Sequence, residues 1–495
     1  MEQKRPTEWT SGADSSAVYA SSRVAELLDA GLTAVRLAND VPGSFPVDAL
    51  AEASAVIDRG FDRTGRVDLT DVAFATLDPA SSTDLDQAFA LSMDGDTFVL
   101  LYAIADVGAF VARDGALEAE AWRRASTLYL PDAKVPQYPT SLSEGGASLL
   151  PDVDRPAVVM TVALGADLIP TLRSVDRAVV RSRAKLAYET CPPDLAHPLL
   201  GSFAARMEAS DQARGAERVQ RPEQEITDDP KAPGELRLTF RSLTPSEEAN
   251  AAMSLAANLA LGSLFVSHGV GLFRDLDDPS RRDVAMLRRT AQALGLAWDE
   301  GEPLRQLLRR LRPHVAADAS FSLAVRRAGG AARYRFYRAN ASGAMRSEGK
   351  NGAPDGPWHA AMGAPYVHGT APLRRLADRY VLDLAVALRS GDAIDALVEP
   401  LTTLPPVMDA VGMRASKIER ACIDLVEAVV LTGREGSIFD GVVVESDPEH
   451  AVVHLVADGI RVRLPLAGRS PGDAVRLRLE ATDPMKGSVT FEPVA

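Results

Sequence analysis

Residues 75–91 read ATLDPASSTDLDQAFAL, and they place Asp78, Asp84 and Asp86 within nine positions of an otherwise apolar stretch. Carboxylates this close repel one another, and each is costly to take out of water unless a cation or hydrogen bonds compensate. Pro79, Ser81, Ser82 and Thr83 are turn formers, so the residues alone leave two readings open: a solvated turn, or a loop that holds a cation. An EF-hand loop is excluded, because a count from Ser82 puts Gln87 where the sharp turn needs Gly and Met93 where a bidentate Glu belongs. The segments VAFATL before the acids, and AFALSM and FVLLYAIADV after them, predict short buried strands. The acids then sit on a loop between strands.

The 495 residues are 46% hydrophobic, enough for about two to four domains with real cores. The N-terminus MEQKRPTEWT has no apolar signal region, and the one long apolar run, LAANLALGSLFVSHGVGLF, contains Asn258, Ser263, His268 and three glycines. It predicts a buried helix and turn, with no membrane partner. Cys191 and Cys422 are too few for a disulfide framework or a zinc site, which fits a reducing cytoplasm. The net charge of −14 argues against a nucleic-acid partner for the chain taken as a whole. Basic clusters nevertheless occur at 173–185, 305–313, 326–338 and 373–379. Each alone reads as a solvated face, but the third interleaves Tyr334, Phe336 and Tyr337 with Arg333, Arg335 and Arg338, a pattern that suits base stacking as well as phosphate pairing.

Residues 1–65 read as a small helical unit. Ala17, Ala20, Val24, Leu27 and Leu28 keep helical spacing, Val47, Leu50, Ala51 and Ile57 do so again with Ser54 on the same face, and a short segment at Leu32–Ala38 lies between. A helix-turn-helix nucleic-acid binder and a docking bundle are both open. Residues 66–432 mix strand-like runs with long helices and predict one large α+β domain. From 433 to 495 five short strands separated by turns predict a small β-barrel of OB type.

The run LYAIADVGAFV and the stretch LEAEAWRRASTLYLPDAKVPQYPTSLSEGGASLLPDVDRPAVVMTVAL resemble the catalytic RNB domain of the ribonuclease II / ribonuclease R family, as do VVRSRAKLAYE and APYVHGTAPLRRLADRY. The resemblance spans roughly residues 70–430, with the dispersed motifs in family order, and the tail is similar to the family's C-terminal OB-type domain. It implies a hydrolytic, processive 3′-to-5′ exoribonuclease that degrades single-stranded RNA to nucleoside 5′-monophosphates with Mg²⁺ or Mn²⁺. Asp78, Asp84 and Asp86 fall on three of the family's four acidic positions and are assigned to catalysis and metal binding. Gln87 falls on the fourth; its oxygen can coordinate but carries no charge. Arg374 is assigned to the scissile phosphate, Arg375 to RNA beside it, and Tyr129 to the terminal base. His359, Tyr366 and His368 are expected to be structural. Asn258 fits an "AN" pair of the family, whereas Glu247 and Glu248 sit a turn too early for its acid. Typical members carry two cold-shock-type domains at the N-terminus, which 65 helical residues cannot encode. In the tail, Phe439, His454 and Phe491 are the candidates for stacking. Two competing readings remain: an RNA-binding protein of the same fold whose turnover is impaired by Gln87, and a DNA-binding regulator built on the N-terminal helices.

Overall fold

A computed structural model describes residues 22–216, 223–229, 232–241, 243–312, 315–328, 330–340, 343, 345–347, 356–455, 460–470 and 472–494. Two helices come first, α1 (Ser22–Ala38) and α2 (Val47–Arg59). The apolar runs around the acidic loop are strands, as expected: β1 (Val67–Asp78), β2 (Gln87–Asp94) and β3 (Thr97–Ala105). After α3 (Ala116–Arg124) and a hairpin of β4 (Leu128–Leu130) and β5 (Ala133–Val135), two long strands follow, β6 (Asp154–Leu164) and β7 (Pro170–Ala187). They close a barrel in the order β1-β2-β3-β6-β7. Its pairs are antiparallel except β1 with β7, which is parallel and shifts register between Leu69 and Ala75. Phe74, Leu100, Tyr102, Met160 and Val162 lie wholly buried in its core.

Beyond the barrel come α4 (Pro193–Ala196), α5 (Leu200–Arg214), the hairpin β8 (Glu223–Asp229) and β9 (Ala232–Arg241), and α6 (Pro245–His268). A reciprocal capping box between Thr244 and Glu247 starts α6, and Gly269 at φ 67° ends it. Glu247, of doubtful role in the sequence, thus serves the helix cap. By length and composition α6 could cross a membrane, but 72% of its apolar window is buried within the protein. Gly262 lets α6 approach the backbone of the 365–366 turn: a Cβ there would stand 2.7 Å from the Pro365 carbonyl oxygen.

The strand β10 (Val270–Asp275) pairs with β11 (Arg333–Ala339), which pairs with β12 (Met345–Ser347). Between them α7 (Arg281–Ala293), α8 (Leu304–Arg310) and α9 (Ala316–Ala328) build a second core around Leu287, Leu307 and Phe321. The expected single domain over 66–432 therefore has two cores. Then come α10 (Leu376–Ser390), α11 (Asp395–Leu431) and the tail strands β13 (Ile438–Ser446), β14 (Ala451–Leu455), β15 (Arg461–Leu464), β16 (Ala474–Asp483) and β17 (Ser488–Val494). These form the expected five-stranded antiparallel sheet, in the order β15-β14-β13-β16-β17. It rests on the second core, with Thr290 donating to the Val444 carbonyl at 3.3 Å and Ser320 hydrogen-bonded to His454 at 3.2 Å.

Three expectations change. Leu32–Ala38 is not a separate segment but the second half of α1, and Ala17 and Ala20 lie outside the described residues. The helices dock on the large domain rather than on each other, α1 on α11 and α2 on α3. Gly31 makes this possible, since any Cβ would meet Leu425 Cδ1 of α11 at 2.3 Å. In the tail, Phe439, His454 and Phe491 are buried, with the two Phe rings edge-on at 5.5 Å, so they are core and not stacking surfaces.

Candidate active site

The loop between β1 and β2 is pinned from within. Leu85 is wholly buried; its N–H donates to Ser148 Oγ at 3.0 Å, and Ser148 Oγ donates to the Thr83 carbonyl at 2.7 Å. Asp84 and Asp86 flank this anchor, and Asp78 closes β1. Asp84 is paired with Lys134 Nζ at 2.9 Å, which also meets Glu144 at 2.8 Å. Asp86 is buried; its Oδ1 accepts the Leu373 N–H at 2.7 Å and its Oδ2 lies 3.5 Å from Arg374 Nε. Asp78 Oδ2 is buried with no hydrogen-bond partner among the described residues. Burial pushes Asp78 up to about 6, against the pull of Arg374 and with the help of Asp84. Burial likewise pushes Asp86 up to about 8, opposed by Arg374 and the Leu373 N–H and reinforced by Asp378 and Asp84.

Arg374 belongs to a turn, 366–375, that other elements hold in place. Its carbonyl accepts the Thr127 N–H at 3.0 Å and the Ser126 hydroxyl at 2.9 Å. Asn258 Oδ1 on α6 accepts the Gly369 N–H at 2.9 Å, and Asp378 on α10 accepts those of Thr370 and Ala371 at 3.0 and 2.7 Å. Tyr129 on β4 is 58% exposed, and its hydroxyl feels the charges of Arg374, Asp84 and Asp86. A cleft of about 510 Å³, lined in part by Phe45, Arg124 and Lys134, borders the same hairpin.

Other expected site residues are committed elsewhere. Arg375 forms a two-pronged pair with Asp378, at 3.0 and 2.7 Å, and so braces the turn instead of presenting its guanidinium to RNA. Gln87 gives its amide nitrogen to the Thr370 carbonyl at 2.6 Å, and its oxygen accepts the hydroxyl of Tyr102 at 2.6 Å, with Ser254 Oγ at 3.4 Å. The Tyr102 hydroxyl occupies that oxygen and the Thr370 carbonyl holds the nitrogen, so the geometry commits Gln87 to protein partners and does not bear it out as a metal ligand. Tyr334 and Tyr337 are buried, with Tyr334 bonded to His368 Nδ1 at 2.7 Å and Tyr337 to Asp275, so the β11 tyrosines are not base-stacking surfaces. Burial keeps His359, down at about 4, and His368 uncharged near neutrality, in line with structural roles. The first basic cluster is largely answered by acids: Arg173 by Asp94, Arg177 by Asp106 and Asp383, Arg181 by Asp154. Sequence reasoning missed Lys134, Ser148 and Asp378. All three lie in or beside the quoted motif runs, but no spacing rule ties them to an acid or turn far along the chain.

The RNB domain profile matches residues 66–388, and that of the RNase II-type exonuclease C-terminal S1 domain matches residues 437–494. The chain belongs to the RNB-domain family. Ribonuclease R of Chlamydia muridarum is 28% identical over 266 residues, which are 51% of this chain and 38% of that protein. The match with this curated relative thus spans well under half of its length. Among solved structures, Mycoplasma genitalium RNase R in complex with ribose methylated single-stranded RNA superposes with a TM-score of 0.77 at 20% identity, over 94% of this chain and 77% of that one. Yeast Ssd1, a pseudonuclease, superposes with a TM-score of 0.63 at 16% identity, over 88% and 53%. The RNB fold is thus shared with a chain described as lacking nuclease activity.

RNB proteins as a family imply a divalent cation. Among the described residues no group of three or more His, Cys, Asp or Glu is already gathered into a metal cage. The donors nonetheless fit a hard cation that keeps several waters and takes few carboxylates. They are oxygen only, and among the described residues Asp78 offers a buried, unpartnered Oδ2 while Asp86 Oδ2 faces the longer Arg374 contact.

Proposed function

We propose that the chain is a hydrolytic 3′-to-5′ exoribonuclease that degrades single-stranded RNA processively to nucleoside 5′-monophosphates with bound Mg²⁺ or Mn²⁺. The observation that carries the reading is the meeting of the acidic loop, through its buried Asp86, with one arginine, Asp86 Oδ2 to Arg374 Nε at 3.5 Å. Direction and product rest on the family resemblance. A bound divalent cation supplies charge neutralisation at the phosphate and lowers the pKa of water. Asp78, Asp84 and Asp86 would hold it. Arg374, with its side chain 41% exposed, is free to turn its planar fork to the scissile phosphate and to stabilise charge that grows in the transition state. Lys134 fixes Asp84 by its 2.9 Å contact. Tyr129 offers an exposed ring beside the acids on which the 3′-terminal base stacks. Two free cysteines suit a reducing cytoplasm, the proposed location.

Incubation of 5′-labelled single-stranded RNA with the full chain and Mg²⁺ tests the reading. A ladder that shortens from the 3′ end supports it. A gel shift without cleavage at any Mg²⁺ or Mn²⁺ concentration establishes the binding protein instead.

A further inference from the structure

Gln87 follows Asp86 directly, at the start of β2, and its side chain joins three elements that are remote in sequence. A carbonyl oxygen can only accept, so the amide nitrogen must face Thr370, which fixes the amide oxygen toward Tyr102 of β3 and Ser254 of α6. The two hydroxyls are 2.8 Å apart and carry one proton each, so Tyr102 donates to Gln87 and Ser254 donates to the Tyr102 oxygen, a short chain that ends on Gln87. Asp86 and Gln87 therefore grip the same turn from adjacent positions: Asp86 accepts from Leu373, and Gln87 donates to Thr370. Arg374 and Arg375 lie between that grip and α10, and Arg375 is itself paired with Asp378. We infer that Gln87 is a positioning residue that sets the 370–374 turn, and through it Arg374, against the acidic loop, and that the cation site is complete without it.

The inference rests on the exoribonuclease reading for its kinetic part only. A carboxylate at position 87 could not donate to the Thr370 carbonyl, and Asn would be one methylene too short to span the same gap. Gln is thus matched to this network by both reach and polarity.

The test uses the full chain and compares wild type with Gln87→Met, Gln87→Asp, Tyr102→Phe and Asp78→Asn. Mn²⁺ binding without RNA is followed by electron paramagnetic resonance, and kcat and KM are measured on single-stranded RNA. Asp78→Asn, the control for a lost ligand, should weaken Mn²⁺ binding at least about 10-fold. Gln87→Met and Tyr102→Phe should leave Mn²⁺ affinity within about twofold while lowering kcat by about 10- to 100-fold, as expected when a catalytic group is displaced by an ångström. KM should move far less than kcat. Gln87→Asp should lower kcat without tightening Mn²⁺ binding. Loss of Mn²⁺ affinity in Gln87→Met comparable to Asp78→Asn, or tighter binding in Gln87→Asp, overturns the inference, as does an unchanged kcat in Gln87→Met. If Gln87→Met fails to fold, Tyr102→Phe and Ser254→Ala each remove one hydroxyl from the same network and carry the same expectation. If the wild type binds Mn²⁺ but cleaves nothing, the exoribonuclease reading falls, and the Mn²⁺ titration alone decides whether Gln87 is a ligand.

Discussion

Arg374 lies 3.5 Å from Asp86 Oδ2 and is held by its backbone, through Thr127 and Ser126, rather than by its guanidinium. That leaves the side chain able to exchange a carboxylate for a phosphate. Arg374→Lys keeps the charge but loses the planar fork, so kcat should fall by about 10- to 100-fold with a smaller change in RNA affinity. Steady-state kinetics on a homopolymeric RNA measures both, and an unchanged kcat would reduce Arg374 to an ion pair with Asp86. Asp78, Asp84, Asp86 and Arg374 were legible in the sequence because each lies in a contiguous motif. Arg375 and Gln87 were not, because what they bond is decided by the fold: Gln87 and Thr370 are 283 positions apart. Tyr334 and Tyr337 misled for a related reason: three positions apart, they lie on opposite faces of β11 and both are buried, so both faces are covered by elements that the local pattern does not show.

At the scale of elements, α1 is the clearest case. Helical periodicity predicted a helix near residues 17–28, but not that it runs through Leu32–Ala38 or that its partner is α11 rather than α2. The mark of docking is Gly31, a residue that weakens an isolated helix and is needed where Leu425 approaches. Gly31→Val should therefore destabilise the protein by about 1–3 kcal/mol through overpacking, seen as a lower urea midpoint, while kcat stays near that of the wild type. An unchanged midpoint would separate α1 from α11 and revive the nucleic-acid-binding reading of the N-terminal helices. The helix α11 was only half legible, because Pro400, Pro405 and Pro406 sit inside its first half. Proline lacks the N–H that would serve the carbonyl four residues back. At Ala396 the Arg113 guanidinium takes that place at 2.6 Å, a compensation that no local pattern announces.

Over the whole molecule the order of the parts could be read in advance, helical start, α+β RNB domain and five-stranded tail, because hydrophobic periodicity changes at each join. The separate core of α7–α9 could not, since its helices look like any others until their contacts close. The titration of the molecule follows from what is buried. His359 and His454, both held down at about 4, bind fewer protons folded than unfolded, so they make stability rise with pH up to about 6.5. Asp86 and Glu427, both raised to about 8 chiefly by burial, bind more protons folded than unfolded from about pH 4 upward, so they offset the histidines' gain below about 6.5 and make stability fall from there to about 9. Melting curves in EDTA should show that decline, and Mn²⁺ should restore the share due to Asp86 but not that of Glu427. A melting temperature flat or rising across this range, or indifferent to Mn²⁺, would mean that the acidic loop takes no cation. The central claim is that Asp86 serves hydrolysis and not RNA docking, and Asp86→Asn addresses it directly, because asparagine keeps the oxygen that accepts the Leu373 N–H and puts an amide nitrogen, which can neither bind a cation nor pair with Arg374, in place of Oδ2. Measured side by side on one labelled single-stranded RNA, the variant should bind within about threefold of the wild type and hydrolyse at least about 10³-fold more slowly; hydrolysis at the wild-type rate would contradict the account.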